Sequence, residues 1–258
     1  FVGHHSGYNN ETGVYNVNIG YQSGYGAASN SSNTNTFVGY KTGYDVTDGS
    51  NNVAVGGMAL ENLTSGADNI VIGNVAGQDI TTTTKTVLIG RSAGSEINST
   101  DADGTIAIGY HAGLNITSGQ RSTYIGYAAG KYESTGDDNV AIGWEAGSGG
   151  TGAAGNAGQR QTNVGSYAGT NLAKTGASGD NTFMGFKAGF GSRNVYNNVA
   201  IGVSAANDLS SGEANTFIGH QAGATATSAD YTVAIGVNAG GSSGVMTGNE
   251  NVFIGSAS

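Results

Sequence analysis

Fifteen short runs rich in β-branched residues each end in a glycine, and this repeat constrains the fold more than any other feature of the chain. The runs at 52–56, 139–143 and 251–255 are typical. The closing glycines are Gly3, Gly20, Gly39, Gly56, Gly73, Gly90, Gly109, Gly126, Gly143, Gly165, Gly185, Gly202, Gly219, Gly236 and Gly255. Most of them are 17 residues apart. A chain built from one short unit stacks each repeat on its neighbours. The sequence therefore predicts an all-β fold, a parallel β-solenoid (β-roll or β-helix) of about 15 coils of about 17 residues.

The repeat runs through the chain without a shift in composition, so we expect one repeat domain over residues 1–258. The first residue falls inside a repeat, which suggests a fragment of a longer fibre protein. The longest insertion, at 149–159, is rich in Gly and Ala and is expected to form a surface loop.

Composition excludes several classes of function. Nine basic residues are scattered among 18 acidic ones, giving a net charge of −9, which argues against nucleic acid as a partner. The absence of cysteine removes disulfides, thiol catalysis and thiolate metal sites. No stretch has the roughly 18 apolar residues of a membrane-spanning helix, so no membrane insertion is expected in this segment. The 47 glycines recur in phase and are expected to shape the backbone.

Both faces of each strand are apolar. The residues one and three before the closing glycine, such as Ile142 and Val140, are predicted to share the inward face and form the core, so Ile142→Asp should cost several kcal/mol. The residue between them is apolar in thirteen of fifteen repeats. A strand that is apolar on both faces is buried on both faces. We therefore predict that this middle residue packs against other copies of the chain in a homotrimer.

Asparagine recurs four residues before the glycine. The members assigned to this structural ladder are Asn16, Asn52, Asn69, Asn139, Asn181, Asn198, Asn215 and Asn251. Stacked about 4.8 Å apart, identical amides can hydrogen-bond from one coil to the next. A second interpretation, compatible with the first, is that Asn starts each strand after a turn.

Aromatic residues follow many closing glycines and are the candidate receptor-binding residues. They are Tyr21, Tyr40, Tyr110, Tyr127, Trp144 and Phe186. At equivalent positions of stacked coils they could form a stripe that binds sugars. The alternative is that they cover the corner of the coil or fill an interface between copies, which we favour.

Other constellations predict no catalytic centre, no metal site and no cofactor. His4 and His5 are adjacent, and adjacent strand side chains point in opposite directions. The loop acids lack the spacing of calcium-binding β-rolls. Glu133 with Asp137 and Asp138, or Glu96 with Asp101, could pair as the carboxylates of a glycosidase, but nothing distinguishes them from ordinary loop acids. We therefore expect a protein that is not an enzyme.

The strand V-A-I-G, the small residue three positions later and the preceding Asn resemble the head repeats of YadA-like trimeric autotransporter adhesins. They also look like the NTFIG-xx-AG repeats of phage tail fibres, and the units at 139–147, 181–189 and 215–223 match best. The resemblance implies a left-handed parallel β-roll assembled as a trimer and a role in surface attachment. This repeat is longer than the usual head repeat, and a neck and a stalk are missing.

Together these observations predict a structural or adhesive segment of an extracellular, cell-surface or virion fibre. Its loops would attach to a host-surface glycan or protein, and its main partner would be itself, as a homotrimer. The alternative is a purely structural filament or sheath protein without a receptor. An ice-binding protein is a further alternative, but it would need Thr in phase on one exposed face. Thr36, Thr123 and Thr216 instead alternate with Val at a position predicted to point inward.

Overall fold

Short parallel strands, one per repeat, build the fold. In this computed structural model the described residues are 1–27, 29–98, 102–149, 158–171, 178–241, 246 and 248–257. They form no α-helix, and so no helix among them is long and apolar enough to cross a membrane. Two units, Phe1–Ile125 and Gly126–Ser258, separate by their internal contacts and are described in turn.

Unit 1 contains seven strands that pair in chain order. They are β1 (Val17–Ile19), β2 (Thr36–Val38), β3 (Val53–Val55), β4 (Ile70–Ile72), β5 (Val87–Ile89), β6 (Ile106–Ile108) and β7 (Thr123–Ile125). Each pairs in parallel with the next, and the register shifts by one repeat, so that Ala54 lies opposite Phe37 and Val71. Equivalent residues of successive repeats therefore stack in columns.

Unit 2 has the same arrangement with one addition. Its strands are β8 (Val140–Ile142), β9 (Thr162–Val164), β10 (Thr182–Met184), β11 (Asn194–Tyr196), β12 (Val199–Ile201), β13 (Ser211–Glu213), β14 (Thr216–Ile218), β15 (Val233–Ile235) and β16 (Val252–Ile254). The strands β8, β9, β10, β12, β14, β15 and β16 pair in that order, all in parallel. The strands β11 and β13 pair with each other on a second wall. The prediction of an all-β parallel β-solenoid is confirmed.

The two faces of the strands are the reverse of the prediction. The middle residue of every strand except β16 is buried, as Phe37, Ala54 and Leu88 show, whereas the flanking residues are partly or largely exposed. Ile142, predicted to lie in the core, is 38% exposed, and its neighbour Ala141 is buried. The interior of such a thin coil is narrow, and one column of middle residues fills it together with side chains from the turn, such as Ile80 and Ile97.

The closing glycine is required by the close stacking of the coils. Gly39 has φ +145°, and a Cβ added to it would fall on the carbonyl oxygen of Gly56 in the next repeat. Four residues later, Gly43 has φ +59°, and a Cβ there would lie 2.6 Å from the buried ring of Phe37. Both positions therefore exclude side chains for reasons of backbone conformation and of space.

Candidate functional surfaces

The asparagine column forms a hydrogen-bonded ladder inside unit 1. Asn52 donates its backbone N–H (2.9 Å) and its Nδ2 (3.1 Å) to Oδ1 of Asn35, and its Nδ2 also donates to the carbonyl of Gly66 (2.9 Å). Asn69 makes the same bonds to Asn52, and Thr86 ends the series by donating to Oδ1 of Asn69. All these side chains are buried, so the ladder holds coils together and presents nothing to a ligand.

Unit 2 repeats this ladder with Asn181, Asn198 and Asn215, followed by Thr232. The remaining asparagines assigned from the sequence have fewer bonds of this kind. Asn16 is half-buried and accepts from the backbone N–H of Asn35. Asn139 is buried, donates to Gly158 and accepts from the N–H of Gln161. Asn251 is half-buried beside Gly248.

The candidate aromatics of unit 1 lie in stacks on the surface. Tyr21 stacks between His4 and Tyr40, with ring centroids 5.5 and 5.6 Å apart and interplanar angles of 7° and 10°. A second stack joins Tyr25 to Tyr8 and Tyr44. Because the ring faces lie against one another, the stacks present mainly ring edges to solvent. This geometry favours the interpretation that they cover the corner over that of a flat sugar-binding stripe.

The other candidate aromatics do not continue these stacks. Tyr110 packs on His111 at 3.8 Å, with the guanidinium of Arg91 5.9 Å from its centroid. In unit 2, Tyr127 and Trp144 stack at 4.1 Å, and Phe186 meets Tyr167 edge to face. All six candidates are exposed by more than a third, but they fall into separate groups.

The outer side of the strands is an uncharged aliphatic surface that sequence reasoning had assigned to the core. We call it, in each unit, the aliphatic face; it consists of the first and last residues of the paired strands other than β11 and β13. In unit 1, Val17, Ile19, Val53, Val55, Ile70, Ile72 and Ile125 are 36 to 46% exposed. In unit 2, Ile142, Met184, Ile218, Ile235, Val252 and Ile254 are exposed, and Thr162, Thr182 and Thr216 lie half-buried on the same face.

Most of the charged groups lie outside the strands, in turns and bends, and Glu213 ends β13. Burial and the neighbouring Glu61 raise the pKa of Asp45, and Lys41, 3.6 Å from Glu61, opposes this rise. A hydrogen bond from exposed Arg160 lowers the pKa of Asp180, and one to Glu213 raises the pKa of Tyr231.

His4 and His5 lie in a turn, not in a strand, so the expectation that they point in opposite directions is wrong. Their ring centroids are 3.9 Å apart, and His5 has a φ of 55°. No group of three or more His, Asp or Glu that could hold a metal ion occurs within the described part of the chain. Among the acids considered as a glycosidase pair, Glu133 is buried and Asp138 is exposed. Asp101 is outside the described residues.

Comparison with known proteins gives no match to a family model, to a curated protein or to a solved structure.

Proposed function

We propose that the chain is a non-catalytic segment of an extracellular or virion fibre, in which copies of the chain associate through their aliphatic faces and the turns attach to a cell surface or glycan. The observation that carries the proposal is the aliphatic face itself. Extended exposed apolar surfaces on soluble proteins mark sites of association. This surface lies on paired strands, and its side chains are exposed or half-buried.

The distribution of charge supports a second copy as the occupant of the aliphatic face. The chain carries a net charge of −9, so two copies repel each other overall. In every paired strand except β11 and β13, the end residues are Val, Ile, Thr or Met, whereas the acids Glu61, Asp79 and Glu96 lie in turns. Contact through the aliphatic face therefore keeps the acidic turns at the periphery. The resemblance of the repeat to trimeric heads favours three copies over two.

The mass of the assembly in solution tests this proposal. We expect light scattering to give three times the chain mass of 25.6 kDa. Ile72→Lys should reduce the mass to that of one chain, because burying an unpaired ammonium between apolar faces is costly. The matched control is Ser65→Lys in an exposed turn of the same unit, which should leave the assembly intact. A monomeric parent protein with a folded circular dichroism spectrum would contradict the association.

Attachment to a surface is tested separately, by binding of the labelled assembly to cells and immobilised glycans. An assembly that forms but binds neither would favour the purely structural filament.

Ice binding is a second candidate, because the threonines thought to point inward lie on the outer face. Thr162, Thr182 and Thr216 share a column with Val199 and Val233, and the register aligns them one repeat apart. Methyl and hydroxyl groups in a regular array on a rigid sheet are the features such a surface needs. A monomer with measurable thermal hysteresis would favour this function over the fibre, whose association hides the same face.

A further inference from the structure

A cavity of about 230 Å³ lies in unit 2 on the turn side of the coil. Three successive repeats line it. The first contributes Lys131 and Tyr132, the second Ser148 and Gly149 at the equivalent positions, and the third Thr170. Because Ser148 and Gly149 have little or no side chain, the middle repeat recedes between its two neighbours. We call this space the Lys131 cavity.

Backbone hydrogen bonds hold the walls of the Lys131 cavity in place. The N–H of Tyr132 donates to the carbonyl of Ser148 (3.0 Å), and that of Gly147 donates to the carbonyl of Ala168 (2.8 Å). The hydroxyl of Thr170 donates to the carbonyl of Glu145 (2.7 Å). The cavity is therefore formed before any ligand arrives, which lowers the entropic cost of binding.

The lining combines aromatic, cationic and anionic groups. Tyr127 is held by its stack with Trp144, and the ammonium of Lys131 is 4.9 Å from the ring centroid of Tyr132. Glu145 also lines the cavity. Neither Lys131 nor Glu145 forms an ion pair with any of the residues that the structure describes, so both retain hydrogen-bonding capacity towards a ligand.

This set of groups selects among classes of ligand. A phosphate or another anion would meet the carboxylate of Glu145, and a simple cation would meet Lys131. A hydroxyl group donates to a carboxylate and accepts from an ammonium, so a polyhydroxylated ring satisfies both. Its C–H face packs against an aromatic ring. Pockets for drug-sized ligands have roughly 300–1,000 Å³, so a cavity of about 230 Å³ accommodates a single ring.

We infer that the Lys131 cavity binds one pyranose ring of a glycan. The inference rests on the proposed function and makes it more specific, because it assigns glycan attachment to this cavity and not to the exposed aromatic stacks. Tyr132 provides the packing surface, and Lys131 and Glu145 hold the ring hydroxyls.

The test uses the whole chain and a panel of methyl glycosides of glucose, galactose, mannose and N-acetylglucosamine. Saturation-transfer NMR and titration calorimetry measure binding. We expect at least one glycoside to bind with millimolar affinity, and Lys131→Met, Glu145→Gln and Tyr132→Ala each to weaken binding about tenfold or more, as the loss of one polar or aromatic contact predicts. The control is Lys187→Met, which removes a lysine that also lies over aromatic rings, 5.5 Å from Phe186, but away from the cavity. It should bind like the parent.

Circular dichroism and light scattering on the same variants separate this inference from the proposed function. Variants that keep fold and mass but lose the glycoside support the cavity as the binding site. If no glycoside of the panel binds, or if the cavity variants bind as well as the parent, the inference is overturned while the assembly stands. If Lys187→Met weakens binding as much as Lys131→Met, the site lies elsewhere and the inference is overturned as well.

Discussion

Phe37 and Ala54 are register partners in adjacent strands, and both side chains are buried in the interior of unit 1. The same alternation of large and small residues recurs in unit 2, where Phe183, Ala200, Phe217 and Ala234 follow one another in a single column. A large ring extends over the space that the neighbouring alanines leave, so the column fills the narrow interior at an even density.

Removing one of these rings should destabilise the protein strongly. Phe217→Ala would place three alanines in succession, with no neighbour able to fill the space, and should lower the free energy of unfolding by about 3–5 kcal/mol. Urea denaturation followed by circular dichroism measures the change. Phe186→Ala deletes the same atoms from a ring that is 46% exposed and should cost about 1 kcal/mol or less. Equal losses for the two variants would contradict the assignment of faces.

The asparagine ladder should contribute to the free energy of unfolding, because its buried amides are hydrogen-bonded. Asn198→Ala removes the bonds that Nδ2 donates to Oδ1 of Asn181 and to the carbonyl of Gly212, and it removes the Oδ1 that accepts from both the backbone N–H and the Nδ2 of Asn215. We expect the free energy of unfolding to fall by about 2 kcal/mol or more. Asn198→Thr should recover part of the loss, because Thr86 occupies an equivalent position and donates to Oδ1 of Asn69. Thermal melts should therefore rank the parent above the threonine variant and the threonine variant above the alanine variant. An alanine variant as stable as the parent would show that the ladder does not stabilise the fold.

The closing glycines should tolerate no side chain. Gly202 has φ +137°, and a Cβ would collide with the carbonyl of Gly219, so Gly202→Ala should lower stability by more than about 3 kcal/mol or prevent folding. Gly179→Ala is the matched control, because a Cβ there lies at an ordinary 3.5 Å from the carbonyl oxygen of Gln159. Soluble yield and melting temperature compare the two. A stable, soluble Gly202→Ala protein would show that the coils can separate locally.

Asp45 should make stability depend on pH. Burial raises its pKa first and repulsion by Glu61 second, so the folded pKa lies above the unfolded one. The stabilising contribution of the protonated carboxyl is complete below the unfolded pKa and is lost as the pH rises through the folded pKa. Asp45→Asn should therefore raise the melting temperature near neutral pH.

The gain from Asp45→Asn should shrink as the pH falls through the folded pKa of Asp45, and it should be gone below the unfolded pKa of about 4, where the parent carboxyl is protonated in both states. Asn62, at the equivalent position of the next repeat, shows that an amide is accommodated there. A gain that did not change between acid and neutral pH would point to packing and not to charge as its cause.

The sequence predicts the solenoid fold because the coil-to-coil contact requires a closing glycine, and every repeat contains this glycine. It does not predict the faces, because Val, Ile and Ala occupy both sides of strands such as Val53–Val55, and alternation then carries no information. The pattern of Phe followed by Ala at the middle position does indicate the buried face, since a closed interior requires large residues to be balanced by small ones.

The Lys131 cavity was not predictable from residue types. Lys131 and Tyr132 look like ordinary turn residues, and the space beside them exists because the next repeat has Ser148 and Gly149 at the equivalent positions. The surface loop predicted at 149–159 stays a prediction, because its residues 150–157 lie outside the described part of the chain.

Parallel pairing with a register of one repeat has a consequence for evolution. Each strand from β3 to β6 meets the same kind of neighbour on either side, so a whole repeat can be gained or lost by recombination between similar gene segments without creating a new type of contact. Selection can therefore change the number of stacked repeats one repeat at a time, without changing the side chains that any one turn exposes.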